Sequence, residues 1–398
     1  MRSVGLRKRM QVTALFMLAV LLLAWTLDRL FPLRLPADAE LFARVVTDSS
    51  GRPLRAFPDG NGVWRYPIAL DEVSPLYIEA LLNYEDRNFW VHPGFDPLAF
   101  GRALAQALFN GHVVSGGSTI TMQVARLLHP HARTVPGKLY QLARALQLEW
   151  HLDKREILQL YLNIAPFGGT VEGVQAAAYA YLDKPASALT HGEAALLAVL
   201  PQSPTRIRPD RNPQRAQVAR DKVLKRMATL GVWDQRTVDD AMQETVQASA
   251  LRPPQAAPLL ASTLVQRHPE ASLIHSTVDG DLQRNLEDYI GRYRNRLPLH
   301  SSMAVLVVDN RDMGVRAYIG AADFGNQERF GYLDMVQAQR SPGSTLKPFL
   351  YGMALEDGLI HSSPCWRMYR EVAVTTGRGI FPVGFPGQWR EPMHCSVP

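Results

Sequence analysis

Cysteine is nearly missing from this 398-residue chain: Cys365 and Cys395 are the only two, and nothing before position 365 carries a thiol. That excludes a disulfide-stapled scaffold for most of the molecule, and it is compatible with export, since proteins of this size fold without disulfides. A cationic run interleaved with aromatics is also missing. The net charge is +6, but the basic residues are scattered, so no nucleic-acid partner is expected. There is no internal repeat, no low-complexity tract and no visible metal cage. What is present is apolar bulk. The chain is 46% hydrophobic, ample for a buried core, and its length suggests two domains.

The N-terminus departs from this even texture. "MRSVGLRKRM" carries Arg2, Arg7, Lys8 and Arg9, and "VTALFMLAVLLLAWTL" at 12–27 is apolar without a charge. The run is short for a membrane span of about twenty residues, but its flanks can extend it. It has no clear small-residue cleavage site, so it reads as an uncleaved anchor rather than a removed signal. The preceding cations keep the N-terminus in the cytoplasm and place the rest outside the inner membrane.

Residues 40–70 read as short strands joined by "SSGRP" and "DGNG" turns. From about 74 to 245 the pattern is helical. Ser74 caps a helix with Pro75 at its first position, and Asp96-Pro97 opens another that Gly111 ends. Ser118 is expected to cap "TITMQVARLL", which stops at His129-Pro130. "GKLYQLARALQLEWHL" carries Leu139, Leu142, Leu146 and Trp150 on one stripe. Asp153 with Glu156, and Thr190 with Glu193, fit capping boxes. Residues 250–275 look like a linker. Two strands, 301–310 and 315–321, and a helix from "STLKPFLYGMAL" follow.

Two stretches hold chemistry. In "NYEDRNFWVHPGFDP", 83–97, Glu85, Asp86 and Arg87 precede Phe89 and Trp90. An acid against aromatics is desolvated, which raises its pKa and suits it to proton transfer. On spacing alone a second reading stands beside it: a helix-end acid paired with Arg87. "SGGSTITMQVAR", 115–126, puts two glycines and a hydroxyl run at a helix start, where backbone N–H groups suit a phosphate, with Arg126 and Arg133 beyond it. The same stretch is also an ordinary loop and cap. "HPH" at 129–131 reads as a helix-ending loop rather than a ligand pair.

"EDRNFWVHPG", "GGSTITMQ", "KREILQLYLN" with "FGG" and "EG" beyond, and "EAALLAVLPQSP" form an ordered set that resembles the peptidoglycan glycosyltransferases. "SPGSTLKPF" further on resembles the Ser-x-x-Lys element of penicillin-binding transpeptidases. Together they resemble the class A bifunctional penicillin-binding proteins, most closely the 1C-type branch, over about residues 1–361. The resemblance implies a mainly α fold. A lysozyme-like helical glycosyltransferase domain would stand behind a transmembrane helix, followed by the start of an α/β transpeptidase domain. The expected boundaries are a cytoplasmic tail at 1–11, a signal-anchor at 12–30, the glycosyltransferase at 40–245, linker and domain entry at 246–298, a partial transpeptidase at 299–361 and an atypical tail at 362–398.

The resemblance also implies roles. The substrates are lipid II, a disaccharide-pentapeptide on undecaprenyl pyrophosphate, and the growing glycan chain, at the periplasmic face of the bacterial inner membrane. Other cell-wall synthesis proteins are expected partners. Glu85 matches the general base that takes the acceptor's 4-hydroxyl proton. Asp86, Gly117, Ser118, Thr119, Gln123, Arg126, Arg133, Gln141 and Asn163 are the expected substrate contacts. Arg126 stands where the family usually has Lys, and it faces the pyrophosphate with Arg133. Mg2+ or another divalent cation accompanies the pyrophosphate, and no organic cofactor is implied. Gln141 stands where the family usually carries a second glutamate; it keeps hydrogen bonding but loses a charge that helps hold a metal. Asn163, Gly168, Gly169, Glu172 and Gly173 form the fourth motif. Its glycines serve either a tight turn or the close approach of a neighbour.

Ser344 and Lys347 match an acyl nucleophile and its base, one helical turn apart. The family's Ser-x-Asn and Lys-Thr-Gly elements do not follow, so transpeptidation is expected to be lost. The tail after residue 362 also reads as out of frame: moved two bases, Cys365–Arg370 becomes Leu-Ala-x-Val-(Pro or Ser), close to the family's continuation. Competing readings are a glycan-cleaving lysozyme-like hydrolase, a non-catalytic scaffold and a serine acyl enzyme.

Overall fold

The computed structural model describes residues 42–97, 118–132, 134–248, 254–298, 300–339, 341, 343–359, 371–376 and 379–384, together with 15, 17–19, 22 and 25–35 near the N-terminus. The chain divides into two compact units, Met1–Gln337 and Ala338–Pro398.

The first unit opens with β1 (Arg44–Thr47), β2 (Pro53–Phe57) and β3 (Trp64–Arg65), joined at the two turns read from the sequence. Helices then dominate: α1 (Pro75–Glu85), α2 (Ile120–Leu128), α3 (Val135–His151) and α4 (Lys154–Ile164). A small sheet of β4 (Pro166–Gly168) and β5 (Val171–Glu172) beside β3 interrupts them. Next come α5 (Val174–Leu182), α6 (His191–Val199), α7 (Pro213–Thr229) and α8 (Gln235–Gln243). The expected mainly helical character is therefore present. The capping boxes at Asp153/Glu156 and Thr190/Glu193 both form. Pro75 sits in the first turn of α1, although Ser74 makes no side-chain cap bond. The cap of α2 is Thr119 rather than Ser118, because Thr119 is the extended residue whose hydroxyl accepts from Met122 N.

One core runs through this helical region. Tyr77 and Leu81 of α1, Ile120, Met122 and Val124 of α2, Leu148 of α3, Ile157, Leu158 and Tyr161 of α4, and Leu197 and Leu200 around the end of α6 are all buried in it. Helix α2 is thus a core helix. Helix α3 behaves differently. Its buried face is Gln141, Ala145 and Leu148, and the stripe read from the sequence turns outward, with Leu139 and Trp150 more than half exposed. At that outer face Arg144 Nη1 donates to the Phe31 carbonyl at 2.9 Å, and Gln147 Nε2 donates to Asp28 Oδ1 at 2.7 Å. Residues 25–30 are helical, but among the described residues no helix is long and apolar enough to cross a membrane.

The stretch read as linker contains ordered elements: α9 (Pro258–Arg267), β6 (Leu273–His275) and α10 (Gly280–Tyr293). Strand β6 pairs in parallel with β1, so this segment is pinned to the first sheet. Arg52 reinforces the join, bonding Asp48 on its own turn and Asp281 on α10. β7 (Val305–Val308) and β8 (Val315–Ile319) are antiparallel, within the two strands expected there. In the second unit a 3-10 turn, Gly343–Leu346, leads into α11 (Lys347–Glu356), and β9 (Glu371–Thr376) pairs with β10 (Gly379–Gly384).

Candidate active site

Helix α1 stops at Glu85 because the next residue, Asp86, leaves helical geometry (φ −156°, ψ 73°). The break sends three consecutive charged side chains in different directions. Arg87 is exposed, Asp86 turns into the core and Glu85 sits part-buried between them.

Glu85 has no ion-pair partner among the described residues, so the paired reading with Arg87 is not what the structure holds. Two side-chain amides bracket it instead. Gln123 Nε2, from α2, donates to Oε2 at 3.0 Å. Gln202 Nε2, from the turn Leu200–Gln202 after α6, donates to Oε1 in a short hydrogen bond. Burial pushes the Glu85 carboxyl above the usual glutamate range. The two amide bonds pull it partly back, and the neighbouring Asp86 charge adds a further upward push. The acid is thus desolvated and oriented but not neutralised by a cation, which is the arrangement a general base needs.

Asp86 has a different task. Its carboxylate accepts from His92 Nε2 at 2.9 Å and from Ile120 N at 2.9 Å, and both side chains are buried. Ile120 is the first residue of α2, so the protein's own carboxylate occupies the helix mouth at which the sequence suggested a phosphate. Thr119 is likewise committed: its hydroxyl donates to the Gly94 carbonyl at 2.6 Å while accepting from Met122 N at 3.1 Å. Ser118 lies beside this turn, half-buried. Gly117 and Arg133 fall outside the described residues.

Gln141 is buried against α2, where its Nε2 donates to the Met122 carbonyl and its Oε1 accepts from Lys138 Nζ at 3.0 Å. A glutamate has no N–H for that carbonyl, so the amide suits this position. Burial, and after it the Arg126 charge, lowers the Lys138 pKa. Lys138 was not singled out from the sequence; its spacing of three residues from Gln141 on a helix was the available signal. Gln202 was not singled out either, although it lies inside the quoted "LPQSP". Among the described residues no three or more His, Cys, Asp or Glu come together in a way that would hold a metal. With Gln141 Oε1 already taken by an ammonium, this region offers nitrogen cations rather than a carboxylate cage.

Asn163 is not brought to Glu85 by any bond. Its side chain closes on the Ile68 backbone N–H and carbonyl, each at 3.0 Å, and ties α4 to the segment after β3. The fourth-motif glycines serve close approach. Gly168 has φ +117°, and a Cβ there would stand 2.6 Å from the Pro204 carbonyl oxygen. At Gly173, φ +81°, it would stand 2.7 Å from the Asn163 carbonyl oxygen. Glu172 pairs with Arg65 at 2.7 Å. In "HPH", His131 Nδ1 and the His129 carbonyl are 2.8 Å apart, closing the loop expected there. In the second unit, Ser344 lies in the 3-10 turn and Lys347 is the first residue of α11.

Comparison with known proteins agrees with this layout. Residues 50–228 match the family described as Transglycosylase, and residues 303–374 match the penicillin-binding protein transpeptidase domain. The chain is 51% identical over 369 residues to penicillin-binding protein 1C of Escherichia coli, covering 92% of this chain and 47% of that protein. It is 37% identical over 254 residues to penicillin-binding protein 1A of Pseudomonas aeruginosa, covering 59% of this chain and 31% of that protein. A solved structure of penicillin-binding protein 1A from Haemophilus influenzae aligns with a TM-score of 0.32 at 17% identity, over 86% of this chain and 57% of that one. The chain spans about half the length of the first of these relatives, or less of the other. With a transglycosylase domain around Glu85 and a transpeptidase match beyond it, the chain belongs to the penicillin-binding proteins that join those two modules.

Proposed function

We propose that the chain polymerises lipid II into glycan strands, with Glu85 as general base, on a lysozyme-like helical domain held at the periplasmic face of the inner membrane. The observation that carries this reading is the Glu85 carboxylate: part-buried, raised in pKa and bracketed by the Gln123 and Gln202 amides without a cation. Glu85 takes the proton of the acceptor sugar's 4-hydroxyl. The freed oxygen forms a bond to the anomeric carbon of the donor chain with inversion, and the bond to the lipid pyrophosphate breaks. The departing group keeps the electron pair as stable negative charge, so it needs cations more than an acid. Arg126, Lys138 and Arg133 are the side chains proposed to meet it, with Gly117 and Ser118 as further proposed contacts. Asp86, Thr119, Gln141 and Asn163 act as struts. A divalent cation arriving with the substrate would supply charge neutralisation of the pyrophosphate.

The outward stripe on α3 supports the membrane placement. Leu139, Leu146 and Trp150 are exposed on the helix whose Arg144 and Gln147 grip residues 28 and 31, at the end of the expected anchor. A lipid-borne substrate is reached most directly from a domain resting there.

Labelled lipid II supplied to the purified chain tests the reading. Long glycan strands from the wild type and none from Glu85→Gln are expected. Equal polymerisation by both proteins refutes the base assignment, and shortening of finished glycan in place of synthesis identifies a hydrolase.

A further inference from the structure

We infer that Gln202 is a positioning residue for Glu85: together with Gln123 it holds the carboxylate between two amides, one on each oxygen, so that the base stays charged and aimed with no cation beside it among the described residues. The inference rests on the proposed role of Glu85. Its ground is geometric. The two amides come from elements far apart in the chain, 38 and 117 residues from Glu85, and converge on opposite oxygens of one carboxylate. Gln202 is delivered by a short 3-10 turn with Pro201 in it and Leu200 buried beneath, so the turn is anchored on the core while the Gln202 side chain itself lies exposed over Glu85.

The choice of amide has a chemical consequence. An Arg or Lys in the same place would stabilise the anion strongly and make it a poorer proton acceptor. An apolar residue would leave one oxygen desolvated and unbonded, favouring the protonated acid. An amide orients the oxygen, cannot titrate and cannot take the substrate's proton itself. Among the described residues, the ionisable groups that face Glu85 are Tyr77, Tyr84 and Asp86 from its own helix and the break after it, and Tyr161 from α4, with Arg226 of α7 acting on Tyr84. None of the four facing groups is a cation, so the two amides are what oppose desolvation.

The test is the pH profile of lipid II polymerisation by the purified full chain, for wild type, Glu85→Gln, Gln202→Met and Gln202→Lys, with unfolding temperatures measured in parallel. Loss of a hydrogen bond to a charged group should lower kcat of Gln202→Met about ten- to hundredfold, with KM for lipid II within about twofold. Its acid limb should move to higher pH, and that of Gln202→Lys should move to lower pH. Shifts of opposite sign cannot come from a merely structural residue, and the Lys variant alone decides the direction if the Met variant fails to fold. Acid limbs that stay put, that move the same way, or an effect confined to KM, overturn the inference. If Glu85→Gln polymerises like the wild type, the parent reading has failed; if it is inactive while the limbs stay fixed, only the Gln202 assignment has failed.

Discussion

Asp86 separates a substrate contact from a strut, and its replacement can be worked through in numbers. Its carboxylate accepts from His92 Nε2 at 2.9 Å and from Ile120 N at 2.9 Å, and the residue is 7% exposed. Asp86→Ala leaves two buried donors without an acceptor, at about 1–3 kcal/mol each, before any void is counted. A total of roughly 2–6 kcal/mol is a large part of the ~5–15 kcal/mol that keeps a domain folded. At about 2–4 °C per kcal/mol for a domain of this size, the melting temperature falls by about 4–24 °C. Asp86→Asn keeps one acceptor but turns an N–H toward the other donor, and costs about 1–3 kcal/mol. Since Ile120 begins the helix that carries Gln123, kcat should fall with stability while KM for lipid II changes little. Unfolding followed by circular dichroism, alongside polymerisation kinetics, reads both effects. A double-mutant cycle with His92→Phe should show coupling of about 1 kcal/mol or more. If Asp86→Asn melts like the wild type and raises KM alone, Asp86 is a ligand and the strut argument is refuted.

Burial raises the Glu85 carboxyl, so the polymerisation rate should fall with decreasing pH through a limb above the ordinary glutamate range. The same shift means that the folded chain holds this proton more tightly than the unfolded chain does. Its stabilising contribution is present at low pH and lost as pH rises through the folded value, so Glu85→Met should gain stability over the wild type near pH 8 but not near pH 4, by urea unfolding. Gly168→Ala would force a Cβ to 2.6 Å from the Pro204 carbonyl oxygen at φ +117°, a strain of about 3 kcal/mol or more that thermal unfolding would register. An unchanged melting temperature would mean that this turn relaxes freely. Gln141→Glu places a carboxylate beside Lys138 and breaks the bond to the Met122 carbonyl, so the variant should lose more activity than the wild type when divalent cations are chelated. Equal sensitivity to chelation would show that position 141 does not bear on the metal.

Local signals were the legible part of the fold. A capping box is written within four residues, so Asp153/Glu156 and Thr190/Glu193 could be placed from the text alone. The strands at 301–321 announced themselves by β-branched content. Pairings between distant segments were not legible. Nothing near residues 246–298 says that β6 will lie in parallel beside β1, because that register depends on a strand more than two hundred residues earlier. Nor does periodicity say which side of α3 faces inward. The buried face of that helix is small and includes a polar residue, Gln141, whose amide has a carbonyl to meet.

The surroundings of Glu85 show the same division in miniature. Composition marks "EDR" before two aromatics as unusual, but only the break in helix α1 at Asp86 decides which charge goes where. A continuing helix would place successive side chains about 100° apart on one cylinder. The break instead frees Asp86 to turn inward and close the mouth of α2, and that closure sets the register of Gln123 against Glu85. The N–H groups at the mouth of α2 do attract an anion, and it is the Asp86 carboxylate, 34 residues upstream in the same chain. Once Asp86 fills that role, the carboxylate left over at the helix end is the one with no cation and two amides. That difference in partners, rather than any difference in residue type, is what suits Glu85 and not Asp86 to the proposed role of base.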